Sequence, residues 1–137
     1  MSRQMFVNLP VRDLKASIAF FEKLGFSFNP QFTDETASCM VISENSNYAM
    51  LLTYEKFKEF TPYAICDAKN TTEVLIALDC KSREEVDEMV RTAVTAGGKN
   101  YKEPQDLGFM YSHGFQDLDG HIWEVFYMDM SAMPSAT

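Results

Sequence analysis

The chain has 137 residues, 46% of them hydrophobic, and carries a formal net charge of −8. That length suits one domain or two small fused modules. The negative charge argues against nucleic acid and anionic membranes as partners, because both would repel the chain.

The first part of the chain predicts a strand, a helix and three further strands. Residues 5–9 form the first predicted strand, which Pro10 would end. A helix then follows Asp13, which can cap it, and Gly25 stops it. Its apolar positions recur at helical spacing, at Leu14, Ile18, Phe21 and Leu24. The further strands are predicted at residues 26–32, 37–43 and 48–54.

The second part repeats this order after a polar stretch. Residues 55–72 predict a linker with one helical turn near residues 56–60. Ser82, with Glu85 three residues later, forms a capping box that predicts a second helix, and Gly97 stops it. Strands are predicted around this helix, at residues 74–78, 99–102, 108–116 and 121–128.

The repeated order defines the predicted domain organisation. It comprises a first module, a linker, a second module and a flexible tail, at residues 1–54, 55–72, 73–129 and 130–137. Phe6 and Leu75 are 69 residues apart, whereas Leu51 and Glu124 are 73 residues apart. The difference fits a second helix that is longer by about one turn. We therefore expect Leu51 and Glu124 to occupy twin positions in the two modules.

Glu124 interrupts the apolar run of the last predicted strand. It stands between Trp123 and Val125, which share the opposite strand face and favour the side covered by the helix. In one interpretation Glu124 faces an apolar cavity together with Ile122 and Phe126. There, burial would disfavour its charge unless a partner stabilises it. In the alternative, it points to solvent at the edge of a sheet.

A tight turn before this strand suggests a partner for the carboxylate. A four-residue loop at residues 117–120 would pair Gln116 with His121 and place His113 directly opposite Glu124. Opposite residues share a face, with Cβ atoms about 5 Å apart. His113 and Glu124 would then form a proton-transfer dyad or half of a metal site. Alternatively, His113 only satisfies a buried carboxylate, and a bulge would undo the pairing.

The cysteines and the N-terminus indicate the expected compartment. Cys39, Cys66 and Cys80 are an odd number without metal-binding spacing, which favours a reducing environment over a disulfide framework. The N-terminus has no apolar signal region, and no apolar run approaches the roughly 20 residues that span a bilayer. We expect a soluble cytoplasmic protein.

Two segments resemble motifs of the vicinal oxygen chelate superfamily, the group of glyoxalases, bleomycin resistance proteins and extradiol dioxygenases. The first is FVNLPVRDLKASIAFFEKLGF, which begins at Phe6, and the second is QDLDGHIWE, which ends at Glu124. The resemblance covers nearly the whole chain. It implies an α+β fold of two tandem βαβββ modules, which form a curved mixed sheet around a cavity, and it implies a homodimer.

The same resemblance implies which positions would hold a metal ion. Relatives of the glyoxalase branch use His, Glu, His and Glu, and these fall here on Phe6, Leu51, Leu75 and Glu124. Only Glu124 matches, and phenylalanine or leucine side chains offer a divalent ion no donor. We expect no cofactor. The alternative is a divalent ion bound weakly through Glu124.

Two functional hypotheses follow. In the first, the chain is a metal-free protein that binds a small, largely apolar molecule. Phe6, Asn8, Leu51 and Leu75 would contact this ligand beside Glu124 and His113. In the second, it is a lyase or isomerase of the lactoylglutathione lyase type, or a dioxygenase-like enzyme, with a partial or displaced metal site. Glu124 and His113 would then be the catalytic residues.

Overall fold

The structure, a computed structural model, describes residues 3–132. The chain divides into two compact units, with the boundary between Asp67 and Ala68. Each unit contains one four-stranded mixed sheet and helices, so the predicted α+β fold of two tandem modules is confirmed. None of the helices within residues 3–132 combines the length and the hydropathy of a membrane-spanning segment.

The first unit begins with strand β1 and helix α1. Its elements are β1 (Met5–Val11), α1 (Leu14–Lys23), β2 (Ser27–Asn29), β3 (Ala37–Ser43), β4 (Asn47–Thr53) and α2 (Tyr54–Lys58). The sheet has the order β1-β4-β3-β2, in which β1 runs parallel to β4 and the other pairs are antiparallel. Asp13 caps α1 as predicted, because its carboxylate accepts from the backbone N–H of Ala16 at 3.1 Å.

The second unit has the same strand order. Its elements are β5 (Leu75–Asp79), α3 (Arg83–Thr95), β6 (Gln105–Asp106), β7 (Met110–Gln116) and β8 (Ile122–Met128). The sheet has the order β5-β8-β7-β6, with β5 parallel to β8. The predicted capping box is present. The Ser82 hydroxyl accepts from the N–H of Glu85 at 3.1 Å, and the Glu85 carboxylate accepts from the N–H of Lys81 at 2.7 Å.

Several predicted element boundaries are wrong for identifiable reasons. Pro10 does not end β1, because β1 lies at the edge of its sheet and tolerates a residue without an N–H. The strand predicted at residues 26–32 stops at Asn29, since Pro30 opens a short 3-10 helix. The strand predicted at residues 99–102 is reduced to one bridge between Lys99 and Gln116.

Helix α3 covers one face of the second sheet. Its buried residues are Val86, Val90 and Ala93. The Tyr111 hydroxyl of β7 donates to the Asp87 carboxylate of α3 at 2.5 Å, which places the odd-numbered residues of β7 on the helix side. The side chains buried on that side are those of His113, Phe115, Trp123 and Val125.

Of the predicted tail, Met130–Ala132 forms one 3-10 turn, and residues 133–137 lie outside the described residues. The helical turn expected near residues 56–60 is α2, which follows β4 directly.

Candidate functional site

The turn between β7 and β8 decides which side chains face each other. Gln116 pairs with Ile122, so the turn has five residues rather than four. Glu124 therefore lies opposite Gly114, and His113 lies opposite Val125. Because opposite residues share a face and neighbours alternate, His113 and Glu124 point to different faces of the sheet. The predicted cross-strand pair of His113 and Glu124 is wrong, owing to the one additional turn residue.

Asp117 explains the extra residue in the turn. Its carboxylate is buried and accepts from the backbone N–H groups of Asp119 and His121, each at 3.0 Å. It also accepts from the indole N–H of Trp123 at 3.0 Å. Burial raises the pKa of Asp117, whereas the charge of His121 and the bond from Trp123 lower it. Asp117 therefore organises the turn and holds the core tryptophan in place.

Glu124 has a partner on each carboxylate oxygen. Oε1 accepts from the Lys102 ammonium at 2.7 Å, and Oε2 accepts from the Tyr101 hydroxyl at 2.6 Å. The side chain of Glu124 is 18% exposed and that of Lys102 is 36% exposed. We refer to Tyr101, Lys102 and Glu124 as the Glu124 cluster. Because its ion pair is partly removed from water, it is screened less than a surface pair.

Gly114 makes room for this cluster. A Cβ atom at Gly114 would overlap the Glu124 carboxylate and would lie 2.7 Å from the Tyr101 hydroxyl oxygen. It would also lie 3.1 Å from the backbone oxygen of Trp123. A glycine is therefore required here by the close approach of polar side chains rather than by an unusual backbone angle.

The tyrosine of the cluster is held as a hydrogen-bond donor. Burial raises the pKa of Tyr101, and the hydrogen bond to Glu124 and the negative charge of that residue raise it further. Tyr101 therefore stays protonated at neutral pH and keeps donating to the carboxylate.

His113 contacts the cluster through the backbone of Lys102. The side chain of His113 is buried, and its Nε2 lies 3.1 Å from the Lys102 carbonyl oxygen. His113 donates to this oxygen in the tautomer that carries the proton on Nε2. Glu124 and His113, the two residues predicted to form a dyad, thus both contact Lys102. Glu124 contacts its side-chain ammonium, and His113 contacts its backbone carbonyl oxygen. Sequence reasoning missed Lys102 and Tyr101, since no strand pairing indicated that the segment after Lys99 reaches Glu124.

The face of the second sheet that points away from α3 is termed the open face. Alternation and strand pairing place apolar and polar side chains together on it, namely Leu75, Ala77, Ser112, Gly114, Gln116, Ile122, Glu124 and Phe126. Leu75 is 57% exposed, and Ala77 is also exposed. The open face is thus largely apolar, and its charges lie in the Glu124 cluster and at Asp79, at the end of β5.

In the first unit, Phe6 and Asn8 share a face and Leu51 does not. Phe6 pairs with Tyr48 and stacks on its ring, with centroids 4.7 Å apart. The Asn8 amide donates to the backbone oxygen of Phe6 at 3.3 Å. Leu51 lies three residues after Tyr48, on the other face, and is fully buried. The prediction that Leu51 lines one surface with Phe6 and Asn8 is therefore wrong, because its side chain points to the opposite face.

The strand pairing also corrects the twin positions. Tyr48 and Ile122, the partners of Phe6 and Leu75, are 74 residues apart. If Phe6 and Leu75 are equivalent, the equivalent of Glu124 is Met50, and Leu51 corresponds to Val125. The predicted equivalence of Leu51 and Glu124 is thus wrong by one residue, which reverses the strand face.

The donors at these positions do not fit a divalent ion. Phe6 and Leu75 offer only carbon, and the thioether of Met50 is a poor ligand for the hard ions that carboxylates prefer. Both oxygens of Glu124 already accept hydrogen bonds, one of them from a positively charged ammonium that would repel a cation. Within residues 3–132, no three His, Cys, Asp or Glu side chains are grouped so that they could hold a metal ion.

Comparison with known proteins reveals relatives of the whole chain. A family model described as bleomycin resistance protein-like N-terminal matches residues 3–43. The structure of hypothetical protein SA1046 from S. aureus has 30% sequence identity and a TM-score of 0.77, over 93% of this chain and 95% of that chain. No curated protein matches the chain in sequence.

Two further solved structures share the fold. A glyoxalase-related enzyme from Fulvimarina pelagi has 20% identity and a TM-score of 0.75, covering 93% of this chain and 88% of that one. A glyoxalase/bleomycin resistance protein/dioxygenase family enzyme from Burkholderia phytofirmans has 18% identity and a TM-score of 0.73, covering 90% of this chain and 96% of that one.

Proposed function

We propose that this chain, which belongs to the vicinal oxygen chelate superfamily, binds a small, largely apolar molecule on the open face of its second unit. The observation that carries the proposal is the Glu124 cluster, in which Lys102 lies 2.7 Å and Tyr101 2.6 Å from one carboxylate. This cluster lies on an otherwise apolar sheet face. An apolar site with a few convergent polar groups is the usual form of a small-molecule site.

The arrangement is costly for a purely structural contact. Charged groups removed from water lose hydration energy, and an apolar pair of similar volume often stabilises a fold as well or better. The first unit has the same strand order with Met50 at the corresponding place, and its sheet forms without a carboxylate there. The fold therefore does not require the charges, which favours a role in ligand binding.

We further propose that the chain works without the metal site of its glyoxalase-type relatives. The Lys102 ammonium already neutralises the one carboxylate that remains at those positions. Elemental analysis of the purified protein should find less than one divalent ion per chain. One ion per chain, lost on replacement of Glu124, would contradict this proposal.

The binding proposal is tested by thermal stabilisation. A library of small molecules is screened for compounds that raise the melting temperature, since a ligand of the native state stabilises it by mass action. Glu124→Gln should abolish at least half of the temperature rise given by each hit, while the melting temperature without ligand stays close to that of the wild type. Glu103→Gln is the matched control, because it makes the same charge change at an exposed position next to Lys102 in the sequence. Equal ligand responses in both variants would show that the Glu124 cluster takes no part in ligand binding.

A second candidate function is a lyase or isomerase of the lactoylglutathione lyase type. The glyoxalase-related enzyme among the similar structures favours it, and the engagement of both Glu124 oxygens by Tyr101 and Lys102 opposes it. Turnover of a glutathione hemithioacetal, with and without added divalent metal, distinguishes the two candidates.

We also propose a homodimer in a reducing compartment such as the cytoplasm. Exposed apolar side chains on the edge strands β1 and β5, including Phe6 and Leu75, support the dimer. The three cysteines are free, and burial raises the pKa of the Cys80 thiol to about 11, which keeps it protonated and unreactive. Sedimentation equilibrium measures the oligomeric state.

A further inference from the structure

We infer that the Glu124 cluster is a donor subsite, in which the Lys102 ammonium binds an acceptor oxygen of the ligand, such as a carbonyl or carboxylate oxygen. This inference rests on the proposed function and names the chemical class of its ligand. In this assignment Lys102 contacts the ligand, and Glu124 is a positioning residue for Lys102.

The first argument is the charge of the subsite. The carboxylate of Glu124 and the ammonium of Lys102 lie 2.7 Å apart and cancel each other, and Tyr101 is neutral. A cationic ligand would meet no net negative charge here and would have to compete with a covalently attached ammonium for the carboxylate. The charge balance therefore favours neutral or anionic ligands over amines.

The second argument is the hydrogen-bonding capacity that remains. An ammonium has three N–H donors, and in the part of the chain that the structure describes one of them is directed to Glu124 Oε1. The Lys102 side chain is 36% exposed, twice the exposed fraction of Glu124 at 18%. The accessible polar group of the cluster is thus a charged donor, and hydrogen bonds from charged donors are roughly twice as strong as neutral ones.

The third argument is that Lys102 is held in place before any ligand binds. Its ammonium is fixed by Glu124, and its carbonyl oxygen lies 3.1 Å from Nε2 of the buried His113. A lysine side chain that is free in solution loses much rotamer entropy when it binds a ligand. A lysine side chain whose ammonium is already held by Glu124 loses less, so the same hydrogen bond contributes more to affinity.

The test uses four probes of similar size and different chemistry: benzoate, acetophenone, benzylamine and toluene. Binding to the full chain is followed by amide-resolved NMR titration, with Gly114 and Glu124 as reporters of the open face. We expect benzoate to bind most tightly and acetophenone next, with benzylamine no tighter than toluene.

Lys102→Met should weaken benzoate binding by about tenfold or more, which is the effect of losing one charge-assisted hydrogen bond. It should leave the affinity for toluene within about twofold. Lys99→Met is the matched control, since it removes one exposed lysine from the same segment, and it should leave benzoate binding unchanged. If Lys102→Met loses its dispersed spectrum, Lys102→Gln replaces it.

The outcomes separate the two proposals. If no probe shifts the amides of the open face, both the binding function and this subsite are overturned. If benzoate and toluene shift those amides equally in wild type and in Lys102→Met, the binding function stands and the donor subsite is overturned. Tightest binding of benzylamine would likewise overturn the donor subsite alone.

Discussion

The two sheets share one strand order, yet they differ at one cross-strand pair. In the first unit Cys39 lies opposite Met50, and at the corresponding place in the second unit Gly114 lies opposite Glu124. The first pair fills the space with apolar atoms. In the second pair, Gly114 has no side chain and leaves this space on β7 empty. The carboxylate of Glu124 on β8 can therefore reach Tyr101 and Lys102. The comparison shows that the architecture is independent of this pair, which is therefore open to a functional use.

The turns that precede the last strands differ as well. In the first unit, three residues join β3 to β4, and Asn45 adopts a positive φ of 62°. In the second, five residues join β7 to β8, and the turn is built around the buried carboxylate of Asp117. The five-residue turn is one residue longer than the four-residue turn predicted from the sequence, and this one residue brings Gly114, rather than His113, opposite Glu124.

The largest effect is expected from Asp117→Ala. The change leaves the indole N–H of Trp123 and two backbone N–H groups without their acceptor, at a cost of about 3 kcal/mol in the free energy of unfolding. Asn45→Ala in the shorter turn should cost less than about 1 kcal/mol. Urea unfolding of both variants measures the difference. Similar losses would mean that Asp117 is not the organising residue of its turn.

A middle-sized effect is expected when the second unit receives the pair of the first. Gly114→Cys should cost about 2 kcal/mol, because its side chain overlaps the Glu124 carboxylate and crowds the Tyr101 hydroxyl. Glu124→Met in addition should restore part of that loss, since the double variant reproduces an apolar pair that the same sheet order accommodates. Urea unfolding of the two single variants and the double variant gives the coupling free energy between residues 114 and 124. Strict additivity would show that the clash lies with the backbone of Trp123 and not with Glu124.

The smallest expected effect is a dependence of the folding stability on pH, and it is confined to alkaline conditions. The pKa of Tyr101 is raised in the folded chain, so its contribution to stability is fully present below the ordinary tyrosine value near 10 and declines as the pH rises above it. Tyr111 adds to the decline, because its hydrogen bond to Asp87 raises its pKa to about 12.

Tyr101→Phe should therefore flatten the loss of stability between about pH 10 and about pH 12. Tyr63→Phe, at a highly exposed position, is the control and should keep the slope of the wild type. Unfolding midpoints in urea across this range measure both slopes. An unchanged slope in Tyr101→Phe would show that Tyr101 is not a buried donor in solution.

The elements that local chemistry determines were predictable from the sequence. Asp13 and Ser82 mark the beginnings of both long helices, because capping depends only on residues one turn away. The order of strands and helices followed from hydrophobic patterns and turn residues. The location of one acid in an apolar strand was visible too, since Glu124 interrupts an otherwise apolar run.

The pairing of distant residues was not predictable in the same way. A turn of four residues and a turn of five differ by one position, and that one position moved His113 to the other face of the sheet. Tyr101 and Lys102 were predicted to lie in a strand at residues 99–102 but lie in an irregular segment. Their local sequence therefore did not indicate that they reach Glu124. Their contact depends on an absent side chain at Gly114, which is a tertiary property.

The space above Gly114 also constrains the order in which these residues can change during evolution. A chain with Cys and Met at this pair, as in the first unit, cannot accept the glutamate first, since the carboxylate would meet an occupied position. Loss of the side chain on the neighbouring strand has to precede it, and this step leaves only a small void. With the glutamate in place, a side chain at residue 114 would overlap its carboxylate, so a substitution of Gly114 would have to be accompanied by a change at Glu124.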